Sequence, residues 1–224
     1  MYDVTGGAGP HAGQSISITG PSPGEAKTAL ILVHGRGGSA ADMLGLAAHI
    51  AGPTMACLAP QAADHTWYPY RFTEPVARNE PYLGSALSML GALMDQLREG
   101  GLPPERIGIL GFSQGACLAL EFAVRRRLRL GALIGLSGGL IGDTIVVPPA
   151  TNLFQAMPVV LGCSEQDTHI PAARVLETDA VLRALGAEVT TRLYSGSSHD
   201  VNGDEIAITR QVLAGLEANT FGLN

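Results

Sequence analysis

Charge is scarce in this sequence: charged residues make up 15% of the 224, and the formal net charge is −6. A set this sparse and net negative argues against nucleic acid as the main partner, because phosphate backbones need clustered cations. The one basic cluster, Arg125, Arg126, Arg127 and Arg129, follows a helical pattern, where cations complement the carbonyl end of a helix. Cysteine is scarce as well. Cys57, Cys117 and Cys163 are odd in number and far apart, and no C-x-x-C occurs, so neither a disulfide framework nor a zinc knuckle is indicated. H-x-H and H-E-x-x-H are also missing. Asp64-His65 and His199-Asp200 are then the only hints of metal ligation, and a metallohydrolase is a distant second reading. No unbroken apolar run is long enough to span a membrane, and Met1 to Gly13 lacks a basic segment followed by an apolar one. Stable membrane insertion is not expected, and the cytoplasm is the expected location.

What is abundant is material for a core, with 46% hydrophobic residues. Apolar runs alternate with helical patterns along almost the whole chain. Strands are expected at Ala29–Val33, Met55–Ala59, Ile107–Phe112, Leu133–Leu136, Val159–Leu161 and Val189–Tyr194, with an edge strand over Ser15–Thr19. Ser39 opens a helix, with Asp42 three residues later completing a capping pattern. Leu83, Leu87, Leu90, Met94 and Leu97 make one apolar stripe on a second helix, stopped by Gly100-Gly101 and Pro103. Further helices follow Gln114, Pro171 and Asp204. Such alternation implies an α/β fold, a mostly parallel central sheet with helices on both faces. No repeat or linker divides the chain, so residues 1–224 are expected to form a single domain, with residues 1–13 a flexible, Gly-rich start.

Gly111-Phe112-Ser113-Gln114-Gly115 matches G-x-S-x-G between an expected strand and an expected helix. In that setting the turn strains the central residue and presents its hydroxyl above the sheet, at the positive end of the new helix. A serine hydroxyl needs a base to take its proton, and the α/β-hydrolase order is Ser, Asp, His. Asp167 and His199 follow later strands, at the sheet edge where open α/β folds place their sites. Glu165, Asp143, Asp179 and Asp200 are rival carboxylates. Asp143 is the serious one, because some relatives of the fold carry the acid after the next strand. A tetrahedral intermediate needs backbone N–H donors. Gln114 and Arg36 are the candidate donors, Arg36 lying in His34-Gly35-Arg36-Gly37-Gly38, a stretch that fits neither phosphate-loop pattern. Trp67, Tyr68 and His169 are candidates for the substrate pocket, although Trp67 could equally pack its loop onto the domain. Cys117 reads as a small core residue and His34 as a hydrogen-bonding residue of the oxyanion loop. No cofactor is expected. A non-catalytic binding module on the same fold would normally have lost a triad member, and all three are present.

These residues resemble the phospholipase/carboxylesterase family, which includes bacterial carboxylesterases and acyl-protein thioesterases. The resemblance runs from Leu30-Ile31-Leu32-Val33-His34-Gly35-Arg36-Gly37-Gly38, through Gly111–Gly115, to Asp167 and Ser198-His199. It implies a compact hydrolase of carboxylic esters with little or no lid, carrying oxyanion loop, nucleophile, acid and base at those positions. It also favours Asp167 as the acid and allows a homodimer. Arg36 and the loop Trp67-Tyr68-Pro69-Tyr70-Arg71-Phe72 depart from the thioesterase branch and look closer to the bacterial carboxylesterases.

Overall fold

The computed structural model describes residues 9–218. Their elements run β1 (Ile16–Thr19), β2 (Thr28–Val33), α1 (Ala40–Ile50), β3 (Met55–Pro60), α2 (Tyr82–Glu99), β4 (Ile107–Phe112), α3 (Gln114–Arg126), β5 (Ala132–Leu136), β6 (Pro158–Ser164), α4 (Ala172–Ala184), β7 (Glu188–Tyr194) and α5 (Gly203–Ala218). The strands form one seven-stranded sheet in the order β1-β3-β2-β4-β5-β6-β7. Only β1 pairs antiparallel, against β3; the other neighbours are parallel. This is the α/β-hydrolase architecture.

The continuous apolar runs of the sequence are what such a sheet requires, since its inner strands are covered on both faces. β2 and β3 are buried at every position. Successive residues of a strand point to opposite faces. Ala29, Ile31 and Val33 accordingly join a core with residues of α2, α3 and α4. Leu30 and Leu32 join a second core with Met43 and Ile50 of α1 and Leu213 and Leu216 of α5. At the start of α1, Ser39 and Asp42 form the reciprocal capping box, with Asp42 N to Ser39 Oγ 3.2 Å and Ser39 N to Asp42 Oδ2 2.8 Å. The arginine cluster behaves as a helix end. Arg125 pairs with Glu121, Arg127 forms the left-handed C-cap of α3, and Arg129 donates to the Gln155 carbonyl.

One detail differs from the sequence expectation. Residues 1–8 lie outside the described residues, but within 9–13 His11 is buried beneath the loop that follows β3. Its Nδ1 accepts the Ala63 amide (3.2 Å), which leaves Nε2–H to donate to the Trp67 carbonyl (2.9 Å). The connection from β5 to β6 carries no helix, so nothing of the lipase-lid kind is inserted there. It bounds a separate apolar hollow with Leu140, Ile141 and Val181 rather than the cavity at Ser113. Among the described residues, no helix is long and apolar enough to cross a membrane.

Candidate active site

β4 ends at Phe112 and α3 begins at Gln114, so the chain reverses through Ser113 alone. Ser113 sits at φ 53°, ψ −119°, a region that costs a non-glycine residue about 1–3 kcal/mol. The glycines on either side make the reversal possible. A Cβ on Gly111 would collide with the Gly115 carbonyl, and one on Gly115 with the carbonyls of Val33 and His34. Ser113 N donates to Leu136 O (2.9 Å) and Cys117 N to Ser113 O (3.1 Å), which hold the turn from both sides.

Asp167 follows β6 and His199 follows β7, as expected. β4 and β7 are three strands apart, roughly 14 Å at ordinary strand spacing, so the last loop must lean back over the sheet. It is laced to the loop beside it. Ser164 Oγ donates to Ser198 O (2.6 Å), Gln166 N to Gly196 O (3.0 Å) and Glu165 N to Tyr194 O (2.8 Å). The result is one continuous chain of hydrogen bonds. His199 Nε2 lies 2.8 Å from Ser113 Oγ, and His199 Nδ1 lies 2.6 Å from Asp167 Oδ2. The imidazole is flanked by Phe112 (ring centroids 5.2 Å) and His169 (4.7 Å). Asp167 Oδ1 accepts the amides of His169 (2.8 Å) and Ile170 (3.0 Å). Burial pushes the Asp167 carboxyl up, but the bonds from His199 and these two amides outweigh it and hold the group below its usual value. Asp143, the rival acid, is exposed after β5; Asp200 is exposed; Asp179 is engaged by Arg183 and Thr191.

The loop after β2 is pressed against the elbow: a Cβ on Gly35 would lie 3.3 Å from Ser113 Cβ. This brings Arg36 beside the serine, and both Arg36 and Gln114 line the same cavity of about 590 Å³. Among the described residues, no acceptor takes up the Arg36 or Gln114 amide. The two side chains do what the sequence left open. The Arg36 guanidinium donates to the carbonyls of Tyr68 (2.8 Å), Pro69 (3.1 Å) and Tyr70 (2.9 Å). Gln114 accepts Trp67 N (2.9 Å) and donates to Tyr68 O (2.8 Å). Both candidate donors of an oxyanion hole are thereby tied to one aromatic loop. No periodicity signals such contacts.

Tyr68 and His169 line the cavity, His169 from an exposed position near the rim. Trp67 does not, which corrects its placement as a pocket residue. It is fully buried, its indole N–H donates to His34 O (2.8 Å), and its ring packs on His34 and His11. An aromatic whose one polar atom is satisfied inward braces its loop instead of facing a ligand. The sequence missed Tyr70, Arg71, Phe72 and Ile170 as cavity residues. Cys117 is buried and also reaches the wall; burial pushes its thiol up to about 12, so it stays protonated. Among the described residues, no three His, Cys, Asp or Glu side chains are grouped to hold a metal.

His34 and His11 make the site's surroundings acid-sensitive. His34 Nε2 accepts the Ala62 amide (3.1 Å), leaving Nδ1–H to donate to Gly35 O (2.7 Å). Burial holds both histidines below their usual value, more strongly than their bonds to carbonyls raise them. The unfolded chain therefore takes up protons below about pH 6.5 that the folded chain refuses, and stability falls as pH drops through that range. The urea midpoint should be lower at pH 5.5 than at pH 7.5, and His11→Gln should flatten the difference. The Asp167 contribution has the other window: it is kept at pH 5.5 and lost only below about pH 4. Equal midpoints at the two pH values would contradict the histidine account.

The family model described as phospholipase/carboxylesterase matches residues 16–216. The chain belongs to this family. Among solved structures, a phospholipase/carboxylesterase from Dyadobacter fermentans is 36% identical with a TM-score of 0.86, covering 93% of this chain and 99% of that one. Esterase PE8 shares the fold at 23% identity and a TM-score of 0.72, over 91% of this chain and 99% of its own. Among curated relatives, acyl-protein thioesterase 1 of Gibberella zeae is 30% identical over 138 residues, which is 59% of this chain and 58% of that protein. Lysophospholipase-like protein 1 of Mus musculus is 27% identical over 142 residues, 62% of this chain and 59% of that protein. The chain spans less than two thirds of the length of these two curated relatives.

Proposed function

We propose that this family member is a serine carboxylesterase that hydrolyses small to medium carboxylic esters through an acyl-enzyme intermediate, in the cytoplasm. The observation that carries the reading is the hydrogen-bonded chain Ser113–His199–Asp167, at 2.8 and 2.6 Å, above a strained elbow. His199 takes the Ser113 proton as Oγ attacks the ester carbonyl, then returns it to the departing alcohol; water repeats the cycle to release the acid. Asp167 holds His199 with Nδ1 protonated, so that Nε2 can accept, and stabilises the imidazolium that forms. The amides of Arg36 and Gln114 face the developing oxyanion, and a missing donor of this kind typically costs about 10²–10³ in turnover. The side chains of these two residues keep the amides in place through the 67–70 loop.

A panel of aryl esters of increasing acyl length tests the reading, with Ser113→Ala as the blank. Turnover should peak on short acyl chains and fall on long ones, because among the described residues the β5–β6 connection adds no lid helix over the cavity. Sharp activation at an oil–water interface with long-chain triglycerides would contradict it. The curated relatives' names favour a second reading, an acyl-protein thioesterase or lysophospholipase. An S-acylated peptide and a lysophospholipid in the same panel separate the three activities. A homodimer is the oligomeric state we propose, and sedimentation of the purified protein checks it.

A further inference from the structure

We propose that Arg71, together with Arg36, makes this site selective for esters that carry a second, ionised carboxylate. The inference rests on the esterase reading above and adds a substrate class to it. The cavity that contains Ser113 is lined by Arg36, Arg71 and Arg78 against a single carboxylate, Glu74. Glu74 is already used: it pairs with Arg78 at 2.9 Å, and the Arg78 guanidinium rests on the Tyr70 ring at 4.5 Å. Arg36 donates only to neutral carbonyls, so its charge is not neutralised. Among the described residues, Arg71 has no ion pair and no side-chain hydrogen bond. The wall of the cavity thus holds two uncompensated positive charges in a chain whose net charge is −6.

The backbone that presents Arg71 is held in place. Asn79, fully buried, accepts the Tyr70 amide (2.9 Å) and donates to the Arg71 carbonyl (3.2 Å). The Phe72 carbonyl accepts Gly142 N at 2.8 Å, and Arg36 holds the residues before. The Arg71 side chain itself is exposed on this fixed backbone. A planar guanidinium matches a carboxylate in two parallel hydrogen bonds. Tyr70, Phe72 and Ile170 leave apolar wall for the short carbon chain between carboxylate and ester.

Two substrate pairs test this, since the charge could sit on either side of the scissile bond. One pair is the monoaryl ester of glutaric acid against the aryl hexanoate; the other is 4-acetoxybenzoate against its methyl ester. In at least one pair, kcat/KM should favour the charged ester by about tenfold or more, and added salt should erode the preference. Arg71→Ala should abolish that preference through KM with kcat nearly unchanged, because Arg71 binds ground state and transition state alike. The neutral esters should change far less than the charged ones, and Arg71→Lys should restore part of the preference. Among the described residues the Arg71 side chain has no ion pair or hydrogen bond and is exposed, so the variant should stay folded. Turnover with no preference for charge in either pair, or a preference that survives Arg71→Ala, overturns the proposal alone. No turnover of any of the four esters overturns the esterase reading and the proposal with it.

Discussion

Ser113→Ala is expected to reduce ester turnover by about 10⁶, because nucleophile and base act as a unit and the loss of one is close to the loss of all. What remains is whatever the Arg36 and Gln114 amides and substrate binding supply. A fluorophosphonate should label the wild type at Ser113 only and leave the alanine variant untouched. Stability should barely change, since the one side-chain bond lost is the 2.8 Å contact with His199. Alanine at φ 53° is as strained as serine, whereas glycine is not. Ser113→Gly should therefore be equally inactive but more stable than Ser113→Ala by about 1 kcal/mol, read as a higher urea midpoint. Activity within tenfold of wild type in either variant would sink the serine mechanism. Equal stability of the two would sink the strain argument and leave the mechanism standing.

The second large effect is expected at Asp167. Its Oδ1 accepts two backbone amides, which an asparagine oxygen can still do. The asparagine NH₂ would then face His199 Nδ1, which must become the acceptor. The ring proton moves to Nε2, and the imidazole can no longer take a proton from Ser113. Asp167→Asn should cut turnover by roughly 10²–10⁴-fold with KM little changed and the fold intact. Asp143→Asn should change turnover by less than twofold, because Asp143 is exposed and His199 Nδ1 is bonded to Asp167 instead. Steady-state kinetics on one short aryl ester decide it. A reversed result would remove the acid assignment and keep nucleophile and base.

These variants act on residues whose neighbourhood was visible in the chain. The inner strands β2 to β6 are apolar runs, and each helix carries its own stripe, cap or stop, because backbone hydrogen bonding and face periodicity are local properties. G-x-S-x-G likewise spells out its own geometry: the two glycines are the residues that a Cβ would forbid. The order Ser113, Asp167, His199 places all three at one sheet edge once the sheet is parallel.

The tertiary structure alone decided the rest. Arg36 meets carbonyls 32 to 34 residues further along, and His11 meets one 56 residues away. No periodic pattern carries a contact of that span, since it depends on how an irregular loop turns in space. Trp67 shows the consequence: from the sequence it could face the pocket or the core, and the free carbonyl of His34 settled it inward. Arg71 is the converse case. As one charged residue in a loop it reads as solvated, and it acquires a role only where folding gathers the cavity's positive charges around one carboxylate already taken.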